Sequence, residues 1–418
     1  MFRHLPPTAT EVNWAAQRAS YAAQPSDVTR FRSALEGYLD VPACFLAASG
    51  RTALYMLLTT LRDGTPNPER TEVVLPAYTC PSVAKVVIDA GLRPRFVDIG
   101  PYTLTYNTSE LAIAVSPLTL AVVVVHPFGI PHPLRDAISI AHQCGALVIE
   151  DAAQSMGAKL DGRLVGTASD FGLFSLGPGK PLSTGGGGFV CTTSETAAQL
   201  LRRAWKDLPE SSGFRSTMAA VRLSLMNAAF HPSGWWLASR LGAQRVGENE
   251  ASWGYAQMGL SAAQAAAGMA LLPQLDTNNA VRREHGEQLL EALQAIPNIH
   301  LPGARLKQID RSAGEESRAP EPIFLRFPIV FDSDAVRESA FRQLQSAGIG
   351  AGKMYRKSLA TQFPDYADGV YPGAEHVASC LLTLPTHHYV ADNDIVTMAE
   401  LLAASVQHDA GTLAQPQA

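Results

Sequence analysis

Five cysteines are spread over 418 residues, at Cys44, Cys80, Cys144, Cys191 and Cys380. Their number is odd and no two have CxxC spacing. That argues against a disulfide framework or a zinc site and fits reduced thiols in a cytoplasmic protein. Positive charge is sparse as well: the net charge is −5, with no basic block. Nucleic acid is therefore not an expected partner. The opening MFRHLPPTATEV lacks the apolar core of a signal peptide, and no apolar run reaches membrane-spanning length. No internal repeat is present. What remains is an ordinary globular composition, 46% hydrophobic and 17% charged, with enough chain for two domains and a large core.

The most informative stretch runs from Val148 to Phe189. A continuous apolar run, Ala146 to Ile149, reads as a buried strand and ends in two carboxylates, Glu150 and Asp151. A second apolar segment, Phe171 to Leu176, passes through the turn Gly177-Pro178-Gly179 to Lys180. Gly185 to Gly188 and a short strand, Phe189 to Thr192, follow. An acid closing one strand and a lysine beside its neighbour are what a pyridoxal phosphate site requires. The acid keeps the pyridine nitrogen protonated so that the ring accepts electrons, and the lysine forms the Schiff base. Each part alone has a bland explanation: a solvated lysine, a capping or ion-paired acid, a flexible glycine loop. Order and spacing carry the reading.

Upstream, Ser49-Gly50-Arg51-Thr52 opens a helix marked by Leu54, Leu57, Leu58 and Leu61. Unpaired N–H groups at such a helix start suit an anion, and a simple N-cap by Ser49 explains the residues as well. Glu72–Pro76 reads as a strand, Ser82–Ala90 as a helix and Arg93–Ile99 as a strand, a parallel crossover unit. Leu120–Val125 is a further buried strand ending at His126, a histidine read as structural rather than catalytic. Helix Leu134–Cys144 leads back to the Val148 strand. The expected fold class is α/β, with a mainly parallel sheet between helices and a smaller C-terminal α+β domain. In such sheets ligands gather at the carboxyl ends of strands. Ser49 to Arg51, Cys80, Asp151 and Lys180 all fall there.

These blocks resemble the DegT/StrS-type aminotransferases, most specifically over Pro76–Asp98 and Val148–Lys180, with likeness extending from Ser49 to Leu402. The resemblance implies a fold-type-I enzyme that uses pyridoxal 5′-phosphate to aminate keto sugars, nucleotide-linked ones among them, for surface polysaccharides or secondary metabolites. It implies a homodimer and an amino-acid donor such as glutamate. Residue by residue, Asp151 matches the aspartate beneath the pyridine nitrogen and Lys180 the Schiff-base lysine; these are the expected catalytic pair. Ala153 matches the small residue that lets the ring lie flat, and Gln154 the residue touching the ring hydroxyl. Ser175, Gly50 and Arg51 match the phosphate-binding positions. Cys80 stands where relatives carry an aromatic that stacks on the ring. Gln257 stands where relatives carry an asparagine reaching a partner subunit's phosphate. Met354-Tyr355 replaces a usual His-Tyr pair. Two other readings stand beside this one: a different pyridoxal phosphate reaction or a non-sugar substrate on the same fold, and a non-catalytic regulatory homologue.

The expected organisation is an irregular arm over 1–30, a cofactor-binding domain over 31–260, and an inter-domain helix with a small domain over 261–406. Residues 407–418 read as a disordered tail. The apolar stretch Met218–Leu241, with Trp235-Trp236, reads as a buried cap or dimer-interface segment rather than a membrane-surface helix. Residues 302–322 read as an exposed loop, and His387-His388 as part of a loop rather than a metal site.

Overall fold

The computed structural model describes residues 3–240, 254–305 and 318–413. Its chain order is α1 (Trp14–Tyr21), α2 (Ser26–Leu39), β1 (Ala43–Ala47), α3 (Gly50–Gly64), β2 (Glu72–Pro76), α4 (Pro81–Asp89), β3 (Arg93–Val97), α5 (Thr108–Ala114), β4 (Thr119–Val125), α6 (Arg135–Gln143) and β5 (Leu147–Asp151). A short hairpin, β6 (Lys159–Leu160) and β7 (Arg163–Leu164), precedes β8 (Phe171–Ser175) and β9 (Gly188–Thr192). Helices α7 (Glu195–Lys206), α8 (Gly213–Phe230), α9 (Pro232–Arg240), α10 (Ala262–Leu271) and α11 (Leu275–Leu293) come next. The remainder is β10 (Ile299–His300), β11 (Phe327–Phe331), α12 (Asp334–Ser346), α13 (Leu359–Gln362), α14 (Pro372–Cys380), β12 (Leu381–Leu384) and α15 (Asp392–Leu413).

Seven strands form one sheet in the order β1-β9-β8-β5-β4-β2-β3. All pairings from β8 through β5, β4 and β2 to β3 are parallel, whereas β9 runs antiparallel to both β1 and β8. The composition explains the position of β4. Its Thr-Leu-Ala and four valines are buried except at Val125, as a central strand covered by helices on both faces requires. Such side chains each contribute about 1.5–3 kcal/mol when fully buried. The second sheet, β10-β11-β12, is antiparallel and belongs to the C-terminal part.

The arm is not irregular throughout. Asn13 caps α1 by accepting from the Ala16 N–H, and α2 buries Phe31, Leu35 and Leu39 at helical spacing. The helical segment expected from Ser261 is divided: α10 starts in a Ser261–Gln264 capping box, and a short 3₁₀ turn, Leu272–Gln274, holds the proline that separates it from α11. His387 donates from Nε2 to the Pro6 carbonyl at 2.8 Å, so it ties the arm to the C-terminal part. Helix α15 continues to Leu413, through the start of the segment read as a tail; 414–418, like 306–317 of the expected exposed loop, lie outside the described residues.

One close approach fixes the sheet against α3. A Cβ on Gly188 would lie 2.3 Å from the Gly50 nitrogen and 2.7 Å from the Phe174 carbonyl, both backbone atoms that cannot rotate away. Gly188→Ala should therefore destabilise the fold by about 1–3 kcal/mol through overpacking. Gly37, exposed in α2 with nothing within 4 Å of its added Cβ, provides the contrast. Gly37→Ala should stabilise by about 0.5–1 kcal/mol through helix propensity. Thermal melts of the two variants check both signs.

Candidate active site

Strands β1, β2, β4, β5 and β8 all end at one edge of the sheet, where β9 begins. A cavity of about 610 Å³ opens there. Gly50, Arg51, Cys80, Asp151, Ala153, Gln154, Ser175 and Lys180 all line it. Eight of the nine sequence-predicted positions thus meet in one place. Gln257 does not line the cavity of its own chain; it is exposed, and the role expected for it is toward a partner subunit.

At one end of the cavity, Ser49 caps α3 by accepting from the Thr52 N–H at 3.1 Å, which leaves the first turn of a 15-residue helix facing inward at Gly50. Ser175 ends β8 opposite Gly188, and its hydroxyl accepts from the Gly177 N–H at 3.3 Å. A helix N-terminus, a serine hydroxyl and Arg51 together could hold an anion. Arg51 also stands over the Tyr255 ring, with its guanidinium carbon 5.8 Å from the centroid.

The two carboxylates of β5 point to opposite faces, as neighbours on a strand must. Glu150 turns away into structure. Its oxygens accept from the backbone N–H groups of Gly166, Ala168 and Ser169 at 2.7, 2.8 and 2.9 Å. It also pairs with His126 Nε2 at 3.1 Å. Burial works against the charge of Glu150, yet the His126 and backbone hydrogen bonds hold its pKa below the ordinary value. His126 Nδ1 accepts from the His132 N–H at 2.9 Å, so its ring proton sits on Nε2 and goes to Glu150. Both groups are committed to holding the strand ends.

Asp151 faces the cavity instead. It accepts one hydrogen bond, from the Ala153 N–H at 3.0 Å. Burial raises its pKa above the ordinary value, against the Ala153 hydrogen bond and the Lys180 charge. A buried carboxylate with so few partners calls for a cation in front of it.

Lys180 is half-buried, and its amine makes no hydrogen bond or ion pair among the described residues. Burial lowers its pKa; the Arg326 charge acts the same way, while Cys80 and Asp151 oppose. The turn that presents it is clamped by the N-terminal arm. Thr10 Oγ1 donates to the Lys180 carbonyl at 2.5 Å, and Thr8 Oγ1 to the Gly179 carbonyl at 3.3 Å.

The remaining wall comes from the C-terminal part, which local sequence reasoning did not tie to the cavity. Gln154 accepts from the Phe128 N–H at 3.0 Å and donates through Nε2 to the Tyr355 hydroxyl at 3.0 Å. Phe128 and Tyr355 have left-handed φ values of 59° and 47°, uncommon for aromatic residues and here held by these contacts. The Tyr78 hydroxyl donates to the Met354 carbonyl at 2.5 Å, and its ring meets Tyr355 edge-on at 5.7 Å. Tyr78 is thus a packing residue that also lines the wall. Cys80, half-buried, stands at the N-cap position of α4 without a side-chain capping hydrogen bond. Phe230 and Arg222 of α8 border the cavity too, so the apolar 218–241 stretch covers it in part. Trp235 is buried beneath, whereas Phe214, Leu225 and Leu237 are exposed. Among the described residues no group of three or more His, Cys, Asp or Glu could hold a metal ion. None of their helices is long and apolar enough to cross a membrane.

These features fit pyridoxal phosphate: a carboxylate awaiting a ring cation, a desolvated amine for the aldehyde carbon, and an anion site for the phosphate. The model of the DegT/DnrJ/EryC1/StrS aminotransferase family matches residues 7–403. The chain belongs to that family. It is accordingly an aminotransferase, and pyridoxal 5′-phosphate is its cofactor. Among individual members, the L-glutamine:2-deoxy-scyllo-inosose aminotransferase of Streptoalloteichus tenebrarius is 28% identical over 94% of this chain and 89% of its own length. The dTDP-4-dehydro-2,3,6-trideoxy-D-glucose 4-aminotransferase of Saccharopolyspora spinosa is 26% identical over 86% of this chain and 83% of its own. Protein MosB of Rhizobium meliloti reaches 37%, over 42% of this chain and 34% of its own length. The fold is that of the sugar aminotransferase CalS13 from Micromonospora echinospora, with a TM-score of 0.74 at 24% identity, covering 96% of this chain and 99% of that one.

The unliganded Asp151 makes a signed prediction. Its folded pKa is raised, so folding loses stability as pH rises from the unfolded value of 3.8 through the folded one. At pH 7 the Asp151→Asn apoprotein should melt no lower than the wild-type apoprotein. The gain in stability on adding pyridoxal phosphate should fall by about 2 kcal/mol or more, since one partner of a buried charge pair is gone. Melts with and without cofactor measure both.

Proposed function

We propose that this aminotransferase moves an amino group from an α-amino acid, glutamate first among candidates, to the ketone of a sugar carried on a nucleotide, in surface-polysaccharide or secondary-metabolite biosynthesis. The reading rests on one observation above the others: Asp151 and Lys180 face the same cavity from neighbouring strand ends, with an anion site beside them. The names of two relatives support the acceptor class, one a nucleotide-linked keto sugar and one a keto cyclitol, and the second supplies L-glutamine as an alternative donor.

The bound cofactor supplies an electron sink for carbanion chemistry at the donor's α-carbon. The chain does the rest. Asp151 would stabilise positive charge on the ring nitrogen, since among the described residues its carboxylate accepts a hydrogen bond only from the Ala153 N–H. The first turn of α3, with Ser175 and Arg51, holds the phosphate and so fixes the ring in register. Gln154, locked between Phe128 and Tyr355, sets the ring hydroxyl edge. Ala153 and Cys80 both line the cavity and would border the ring. Lys180 is the amine that would hold the cofactor's aldehyde end, and, when free, it is the base placed to take and return a proton at the donor's α-carbon. Its lowered pKa makes the neutral, basic form accessible at lower pH than in an ordinary lysine.

The assembly in this reading is a homodimer in the cytoplasm, with Gln257 turned toward the partner's phosphate site. Exposed Phe214, Leu225 and Leu237 beside the cavity-bordering Arg222 and Phe230 support an interface at α8 and α9. The chain divides into an arm, a cofactor-binding part to residue 260, and a C-terminal part whose residues close the cavity.

Lys180→Ala should slow the donor half-reaction by about 10²–10⁴-fold or more. In the wild type the rate should rise with pH, as the amine loses its proton, and level off below 10.5. Stopped-flow spectra with L-glutamate and L-glutamine read both. A Lys180→Ala protein that converts donor at the wild-type rate contradicts the assignment.

A further inference from the structure

Arg326 is an arginine the mechanism above does not use. It precedes β11, is 6% exposed and lines the same cavity as Lys180. Its Nη1 is buried with no hydrogen-bond partner. No side-chain hydrogen bond or ion pair from Arg326 is present among the described residues, and in particular no carboxylate faces it. Burial lowers its pKa to about 10, with Tyr355 opposing, so the guanidinium still carries its charge at neutral pH. An unpaired buried charge is costly, and its persistence points to a ligand.

The surroundings are built to hold it in place. The Arg326 N–H donates to the Phe128 carbonyl at 3.4 Å, and the Ile323 N–H to the Gly129 carbonyl at 2.9 Å. Thr386 Oγ1 donates to the Phe324 carbonyl at 2.6 Å. The segment is thus fastened to the turn after β4, directly beside the ring hydroxyl edge set by Gln154. Gly352 leaves space for the guanidinium: a Cβ there would lie 3.1 Å from Nη1. A planar fork held in a dry wall selects a planar anion, which a carboxylate is.

We propose that Arg326 binds the α-carboxylate of the amino donor and of the keto acid it becomes. This deepens the functional reading given above and rests on it. The donor must bring its amine to the carbon that Lys180 holds, and its carboxylate sits one carbon from that amine. Arg326 lines the same cavity as Lys180, near enough for its charge to act on that amine, and in this proposal one bound amino acid spans both. A keto sugar carries no anion at the matching distance; its charge lies on the nucleotide phosphates. The two sources of anion therefore separate by experiment.

The test uses the holoenzyme and its Arg326→Gln and Arg326→Lys variants. The first readout is the calorimetric dissociation constant for 2-oxoglutarate, which binds the pyridoxal form without turnover. Arg326→Gln should weaken it by about 30-fold or more, as expected for removing one member of a buried charge pair. Arg326→Lys, with charge but no fork, should fall between. The second readout is the donor half-reaction. Arg326→Gln should raise the KM for L-glutamate with little change in the limiting rate, and leave the already poor conversion of 4-aminobutyrate, which has no α-carboxylate, within about twofold. Unchanged 2-oxoglutarate affinity in both variants overturns the proposal, as does a loss confined to the sugar-nucleotide acceptor. Because the calorimetric arm needs no turnover, it decides the role of Arg326 even if the wild type converts no amino acid, an outcome that would sink the functional reading instead.

Discussion

The structure depends on keeping two oppositely charged groups in one cavity without letting them neutralise each other. Asp151 is buried and accepts a single hydrogen bond, from Ala153. Lys180, on the next strand's turn, makes none through its amine among the described residues. Burial pushes both toward their neutral forms. In most proteins such a pair would collapse into an ion pair or be replaced by apolar residues at no loss of stability. Here the separation leaves each group free to meet a different end of one ligand.

Holding that separation falls to residues that carry no chemistry of their own. The parallel register Val125↔Asp151↔Leu173 sets the depth of the carboxylate. Glu150, one residue earlier on the same strand, spends its charge on three backbone N–H groups and His126, and so anchors the strand end from the opposite face. Adjacent acids thereby acquire opposite roles: one satisfied and structural, one under-satisfied and facing the cavity. On the lysine side, Thr8 and Thr10 of the arm clamp the turn, and the Gly188–Gly50 approach locks the start of α3 to the edge of β8 and β9.

Much of this was legible in the chain because the signals are local. The strand Glu72–Pro76 lies where its apolar run and terminal proline put it. The convergence of Gly50, Cys80, Asp151 and Lys180 follows from strand-helix alternation, since such sheets gather their loops at one edge. What escaped was non-local or masked by a stronger pattern. The helix Trp14–Tyr21 has little amphipathic signal and is held by packing against α10. Thr8 reaches the site from the N-terminal arm, and nothing in its neighbourhood marks it; Tyr355 was visible only as part of Met354-Tyr355, without its link to Gln154. Arg326 did leave a trace: a lone cation inside the apolar run Ile323–Phe331. A charge at the head of a buried strand needs a reason. Gln257 is exposed and stands outside the cavity of its own chain.

The central claim is that Lys180, and no other lysine, holds the cofactor opposite Asp151. Borohydride reduction of the holoenzyme followed by peptide mass spectrometry tests it most directly. The account predicts a phosphopyridoxyl group on the peptide containing Lys180. Its presence on another lysine, with the Lys180 peptide unmodified, would contradict it.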